Sequence, residues 1–110
     1  MLTNKADIET KDLNNRTPLH YACSGRKTEN VEFLISKNAN LEAQTKDHET
    51  PLYIACKEEN EDTVCLLIAL NANVFSRSKD GDTPYDLVEK SGNETTLAIL
   101  LSGIEAQFQN

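Results

Sequence analysis

The sequence predicts an all-α repeat solenoid of short helix–turn–helix units stacked one on the next, and three observations predict it. A block opening Thr17-Pro18-Leu19 returns 33 residues later as Thr50-Pro51-Leu52, and again as Thr83-Pro84-Tyr85. Within each block the apolar residues recur at the spacing of one helical face. Polar, turn-forming stretches separate the blocks at a constant offset.

The internal similarity is specific. Residues 17–49 laid over 50–82 without gaps share 13 identities in 33 positions, where unrelated segments of average composition share about two. Each unit opens with Thr17, Thr50 or Thr83, whose hydroxyl suits a helix N-cap. Pro18, Pro51 and Pro84 follow at the first helical position, where proline's missing N–H costs nothing. An inner helix is therefore expected over 18–25, 51–58 and 84–91, with small Ala22, Cys23, Ala55 and Cys56 permitting close approach between neighbours.

An outer helix follows. Val31, Leu34 and Ile35 lie at i, i+3 and i+4, and their equivalents are Val64, Leu67, Ile68 and Leu97, Leu100, Leu101. Asn38-Ala39-Asn40 and Asn71-Ala72-Asn73 stand directly after that stripe. Asparagine tolerates the left-handed conformation that ends a helix, so the outer helix closes there. Residues 45–49 and 78–82 read as turns.

With these residues in place the chain resembles the ankyrin repeat family: a Thr-Pro-Leu-His opening, a Leu-rich outer helix and a 33-residue period. The resemblance implies L-shaped units, two helices followed by a β-hairpin finger. The chain departs from the pattern between the two helices, where the usual glycine is Arg26 and Glu59 and survives only as Gly92. His20 also changes, to Tyr53 and Asp86.

The register extends to both ends. Met1-Leu2 aligns with Leu34-Ile35, and Ala6-Asp7-Ile8 with Ala39-Asn40-Leu41. The expected organisation is one domain: a partial repeat over 1–16, as in a slice of a longer array, repeats over 17–49 and 50–82, and a C-terminal capping repeat over 83–110. In the last, Leu97, Leu100, Leu101, Ile104 and Phe108 prolong one helical face, and Ser102-Gly103 replaces the closing Asn-Ala-Asn.

Composition narrows the function classes. Eleven Lys and Arg against eighteen Asp and Glu give a net charge of -7, which repels phosphate backbones and anionic headgroups, so neither nucleic acid nor a membrane is the expected partner. There is no apolar signal stretch and no run of about 18 apolar residues. An odd set of cysteines, Cys23, Cys56 and Cys65, suits a reducing compartment, so an intracellular, cytoplasmic location is expected and the sequons at Asn15 and Asn93 are read as chance.

No enzyme, cofactor or metal site is expected. His20 and Cys23 stand three apart, but unit two keeps Cys56 and replaces the histidine with Tyr53, so a nucleophile–base pair is not built twice. Zinc would need about four converging ligands, and no CxxC or HxxxH spacing is present. The acidic run Glu58, Glu59, Glu61, Asp62 reads as a solvated loop.

The expected function is that of a protein–protein interaction module (scaffold, adaptor or inhibitor), acting as a monomer on a protein partner. The alternative is a non-catalytic regulatory or spacer fragment of a longer protein. The family resemblance places contacts on the concave side. Carried onto this chain, the fingertip positions are Leu13, Asn14, Arg16, Lys46, Asp47, Glu49, Lys79, Asp80 and Asp82, and the inner-helix positions are Tyr21, Ser24, Ile54, Lys57, Leu87 and Lys90. Tyr21, Ile54 and Leu87 carry two readings, packing between units and apolar anchoring of a partner.

Overall fold

Each helical opening is a threonine cap. In the computed structural model, which describes residues 8–25 and 27–108, Thr17, Thr50 and Thr83 all adopt extended backbone. Their hydroxyls accept from the backbone N–H of His20, Tyr53 and Asp86 at 3.4, 3.2 and 3.2 Å. Six helices are found among the described residues. The inner ones are α1 (Pro18–Ser24), α3 (Pro51–Lys57) and α5 (Pro84–Ser91); the outer ones are α2 (Thr28–Ser36), α4 (Glu61–Ala69) and α6 (Glu94–Phe108). The expected equivalences at Met1-Leu2, Ala6-Asp7 and Arg26 lie outside the described residues.

Inner packs on inner and outer on outer: α1 against α3 against α5, and α2 against α4 against α6. Leu19, Cys23, Val31, Ala55, Val64, Leu67 and Leu100 are fully enclosed between units. A stack of this kind derives its cohesion from nearest-neighbour contacts rather than from one central core. Side chains also lace the units together. Asn60, buried ahead of α4, donates Nδ2–H to the carbonyls of Cys23 at 3.3 Å and Gly25 at 2.6 Å in the preceding unit.

The chain reverses through left-handed residues at repeated places. Asn38 and Asn71 have φ of 65° after the outer helices; Glu59 at 56° and Gly92 at 78° follow the inner ones. Asn15, His48 and Gly81, at 60°, 60° and 88°, occupy a third set, the finger turns.

The expected β-hairpin fingers do not appear as strands among the described residues. Each finger is a tight turn closed by two backbone bonds, Thr45 N–H to Glu49 O at 3.1 Å and His48 N–H to Thr45 O at 2.9 Å in the second. The last residue of the turn, His48, is left-handed at φ of 60°. Fingers are joined sideways by a single bond each, Lys46 N–H to Asn14 O at 2.9 Å and Lys79 N–H to Asp47 O at 2.7 Å.

The last unit departs from the others in two ways. Helix α6 runs straight through Ser102-Gly103 to fifteen residues, and a Cβ at Gly103 would lie 2.9 Å from Ile68 Cγ2, so the glycine is where α6 touches α4. Gln107 then takes over backbone bonding, accepting from Val74 N–H at 3.3 Å and donating to Ala72 O at 2.7 Å. Its outward face is also recomposed: the positions of buried Cys23 and Cys56 hold exposed Glu89, and those of buried Ala39 and Ala72 hold exposed Glu105. At the opposite end Tyr21 and Phe33 remain 52% and 40% exposed, whereas their equivalents in unit two, Ile54 and Leu66, pack against the core.

Candidate functional site

The second finger is held against α1 by His20. Its Nδ1 accepts the Thr17 N–H at 3.0 Å, which leaves the proton on Nε2. That proton is shared between the carbonyls of Ala43 at 2.9 Å and Glu49 at 3.0 Å. Burial holds the imidazole's pKa below its ordinary value, although the two carbonyls pull the other way. The histidine is thus a neutral strut between α1 and the second finger, with no open edge for a proton-transfer role. Cys23 and Cys56 are equally unsuited to nucleophilic work, since burial pushes both thiols up to about 12.

On the exposed side the fingers and inner helices form a continuous strip. Leu13, Asn14, Arg16, Lys46, Asp47, Lys79 and Asp80 are exposed on the turns, as are Tyr21, Ser24, Lys57 and Lys90 on the helices. Four expected positions behave otherwise, Glu49 and Asp82 being only partly exposed. Ile54 is 7% exposed and belongs to the core, and Leu87 is half-buried against it, so packing accounts for most of both side chains.

Finger and helix are cross-braced by charge in units two and three. Lys57 Nζ lies 3.7 Å from Glu49 and Lys90 Nζ 3.2 Å from Asp82. The carboxylate side chains are 14% and 25% exposed and the ammonium side chains 52% and 69%, so each pair presents its cation outward.

Unit one is built differently. Arg16 replaces the finger carboxylate, and its guanidinium stands 6.0 Å from the centroid of the Tyr21 ring. Asp12 organises the turn beneath, accepting from the N–H groups of Asn14 and Arg16 at 2.9 Å each and from the Tyr21 hydroxyl. That hydroxyl, and then the backbone N–H of Arg16, hold the Asp12 carboxyl below the usual carboxylate range; the same bond raises the Tyr21 phenol.

Sequence reasoning passed over Asp12 and Asn60. Asp12, Thr45 and Ser78 share one register position and all belong to the side-chain types that fold back on a turn. Thr45 Oγ1 does so, accepting from Asp47 and Glu49 N–H at 3.1 and 3.2 Å. Asn60 recurs as Asn93 one period later, whose Oδ1 accepts from Thr96 N–H at 3.1 Å.

Between the first two units a hollow of about 60 Å³ opens on this strip, lined by Arg16, Tyr21, Ser24, Glu49, Ile54 and Lys57 together with His20 and Glu58. Among the described residues no three His, Cys, Asp or Glu side chains gather as a metal site would require, and no helix is long and apolar enough to cross a membrane.

Stacked helix pairs with projecting turns, repeated every 33 residues, define a helical repeat protein whose solvent-facing product is a surface rather than a cleft. A family model described as ankyrin repeats (3 copies) matches residues 1–78, and the chain belongs to the ankyrin repeat family. Proteins of this family are in general protein–protein interaction modules and typically non-catalytic. No curated protein matches the chain by sequence.

Proposed function

We propose that this chain is a non-catalytic binding module, serving as scaffold, adaptor or inhibitor, that holds a protein partner on its finger and inner-helix strip. The observation that carries the reading is the division of each repeat. Leu19, Leu52 and Val88 are sealed in the stack, while Arg16, Tyr21, Lys46, Lys57, Asp80 and Lys90 are offered to solvent along one strip. Constant packing behind variable exposed groups lets one scaffold specify one partner. The molecule acts as a monomer inside the cell, with units 17–49, 50–82 and 83–110 contributing to one surface and no part for nucleic acid, in keeping with its net charge of -7.

The test is affinity capture from a lysate of the source organism with the native chain and with a triple variant, Arg16→Glu, Lys46→Glu and Asp80→Lys. All three side chains are exposed and form no ion pair among the described residues, so the fold is expected to survive, as circular dichroism would verify. A protein retained by the native chain and lost from the variant supports the surface. Identical retention by both sinks it, and the spacer-fragment reading then takes its place.

A further inference from the structure

The three units treat the same two positions differently. At the end of each finger turn stands Arg16, Glu49 or Asp82; facing them from the ends of the inner helices are Ser24, Lys57 and Lys90. Units two and three close this gap with their own ion pairs, at 3.7 and 3.2 Å. Unit one does not. Ser24 turns its hydroxyl back to the carbonyl of Tyr21 at 2.9 Å, and the guanidinium of Arg16 has no ion-pair partner among the described residues.

The hydrogen-bonding capacity around the neighbouring hollow is lopsided. Asp12 is already held by three donors, Glu49 is held by Lys57, and His20 points its proton at two carbonyls. Glu58 stands exposed on the far rim. Apart from the Glu58 carboxylate on that rim, what is left open is donor capacity: the N–H groups of the Arg16 fork not turned to Tyr21 and the remaining N–H groups of Lys57, beside an apolar wall of Tyr21 and Ile54. The hollow measures about 60 Å³. At about 10–15 Å³ per water-sized occupant on this measure, it admits roughly four to six heavy atoms, the size of an Asp or Glu side chain.

Building on the reading of this strip as the partner surface, we propose that the notch between units one and two receives an acidic side chain of the partner, its carboxylate on Arg16 and its stem against Tyr21 and Ile54. The net charge of -7 adds a condition on the partner. Long-range repulsion rejects an acidic segment, so the anchoring Asp or Glu stands alone in a neutral or basic stretch.

A library of random twelve-residue peptides, displayed on phage with their C-termini fused to the coat protein, tests this. The fusion keeps free terminal carboxylates out of the experiment. Selected on the native chain, binders are expected to carry Asp or Glu at one shared position beside an apolar residue, with no second acid nearby. For a synthetic, C-terminally amidated binder, changing that acid to its amide and changing Arg16→Ala should each weaken binding about 10-fold or more. Arg16→Glu should restore binding to the peptide bearing Lys at that position. Binders that ignore Arg16→Ala but are lost on Lys46→Glu with Lys90→Glu overturn the anchor and leave the surface reading standing. Binders indifferent to both sets, or a selection yielding none, overturn both.

Discussion

Replacing His20 with alanine should remove about 3 kcal/mol of stability. The ring is 1% exposed and satisfies three backbone groups at once: the Thr17 N–H at 3.0 Å and the carbonyls of Ala43 and Glu49 at 2.9 and 3.0 Å. A buried group left without its partner costs about 1–3 kcal/mol, and the two carbonyls share one proton, so two bonds rather than three are lost outright. Against a total of about 5–15 kcal/mol for a small domain the loss is large. In urea, with a slope of about 1.5 kcal/mol per molar, the unfolding midpoint should fall by about 2 M. Acid supplies the sharper check. Folded His20 takes up a proton less readily than free imidazole, because burial disfavours the cation. Below pH about 6.5 the unfolded chain therefore binds a proton that the folded chain refuses. The stability His20 contributes is whole above that pH and declines as pH falls toward the depressed folded value, at up to about 1.4 kcal/mol per pH unit. Urea titrations at pH 7.5 and 5.5 should show the native chain weakened at the lower pH and His20→Ala nearly level. A native chain equally stable at both, or a variant keeping the full decline, would refute a neutral buried imidazole.

Other positions give equally direct tests. Asn60→Ala should cost about 2 kcal/mol in urea unfolding, since its amide serves the carbonyls of Cys23 and Gly25 across the unit boundary. Gly103→Ala sets helix propensity, worth about 1 kcal/mol in alanine's favour, against a methyl 2.9 Å from Ile68 Cγ2. Overpacking costs about 1–3 kcal/mol, so the variant should be less stable, and in an Ile68→Ala background its sign should reverse; equal effects in both backgrounds would show that the contact is not what excludes a side chain. His48→Gly should raise the melting temperature by a few degrees, because the residue holds φ of 60° at the place where unit three has Gly81. The left-handed penalty of about 1–2 kcal/mol outweighs the chain entropy that glycine adds, about 0.4–1 kcal/mol.

The parts of this fold legible in the sequence are those governed by one residue's own conformational preference. Thr17, Thr50 and Thr83 cap where threonine before proline should, and Asn38 and Asn71 turn left-handed where asparagine ends a helix. The inner helices end within one residue of expectation. Glu59 is different: its own propensity does not favour φ of 56°, and only its alignment with the family's glycine, kept here as Gly92, marks the place. The fingers were legible as turns at residues 45–49 and 78–82, while the strands that the family resemblance implies beside them are not found among the described residues. At the candidate surface, Glu49, Lys57, Asp82 and Lys90 were each recognisable as contact positions, although the two carboxylates are only partly exposed. Their pairing was not, because it joins the end of a turn to a helix eight residues away. For Ile54 the two readings, packing and anchoring, stayed open for a related reason: periodicity treats it like its unit-one equivalent Tyr21, which is exposed where Ile54 is buried.

The recomposed face of the last unit makes the stack directional. A helix pair laid against α5 and α6 would have to enclose Glu89 and Glu105, at a cost of several kcal/mol for each carboxylate left without a partner. One laid against α1 and α2 would meet Tyr21 and Phe33 and gain by covering them. The two faces therefore differ in what they favour against them: carboxylates beside α5 and α6 that resist burial, and part-exposed aromatic rings beside α1 and α2 that gain from it.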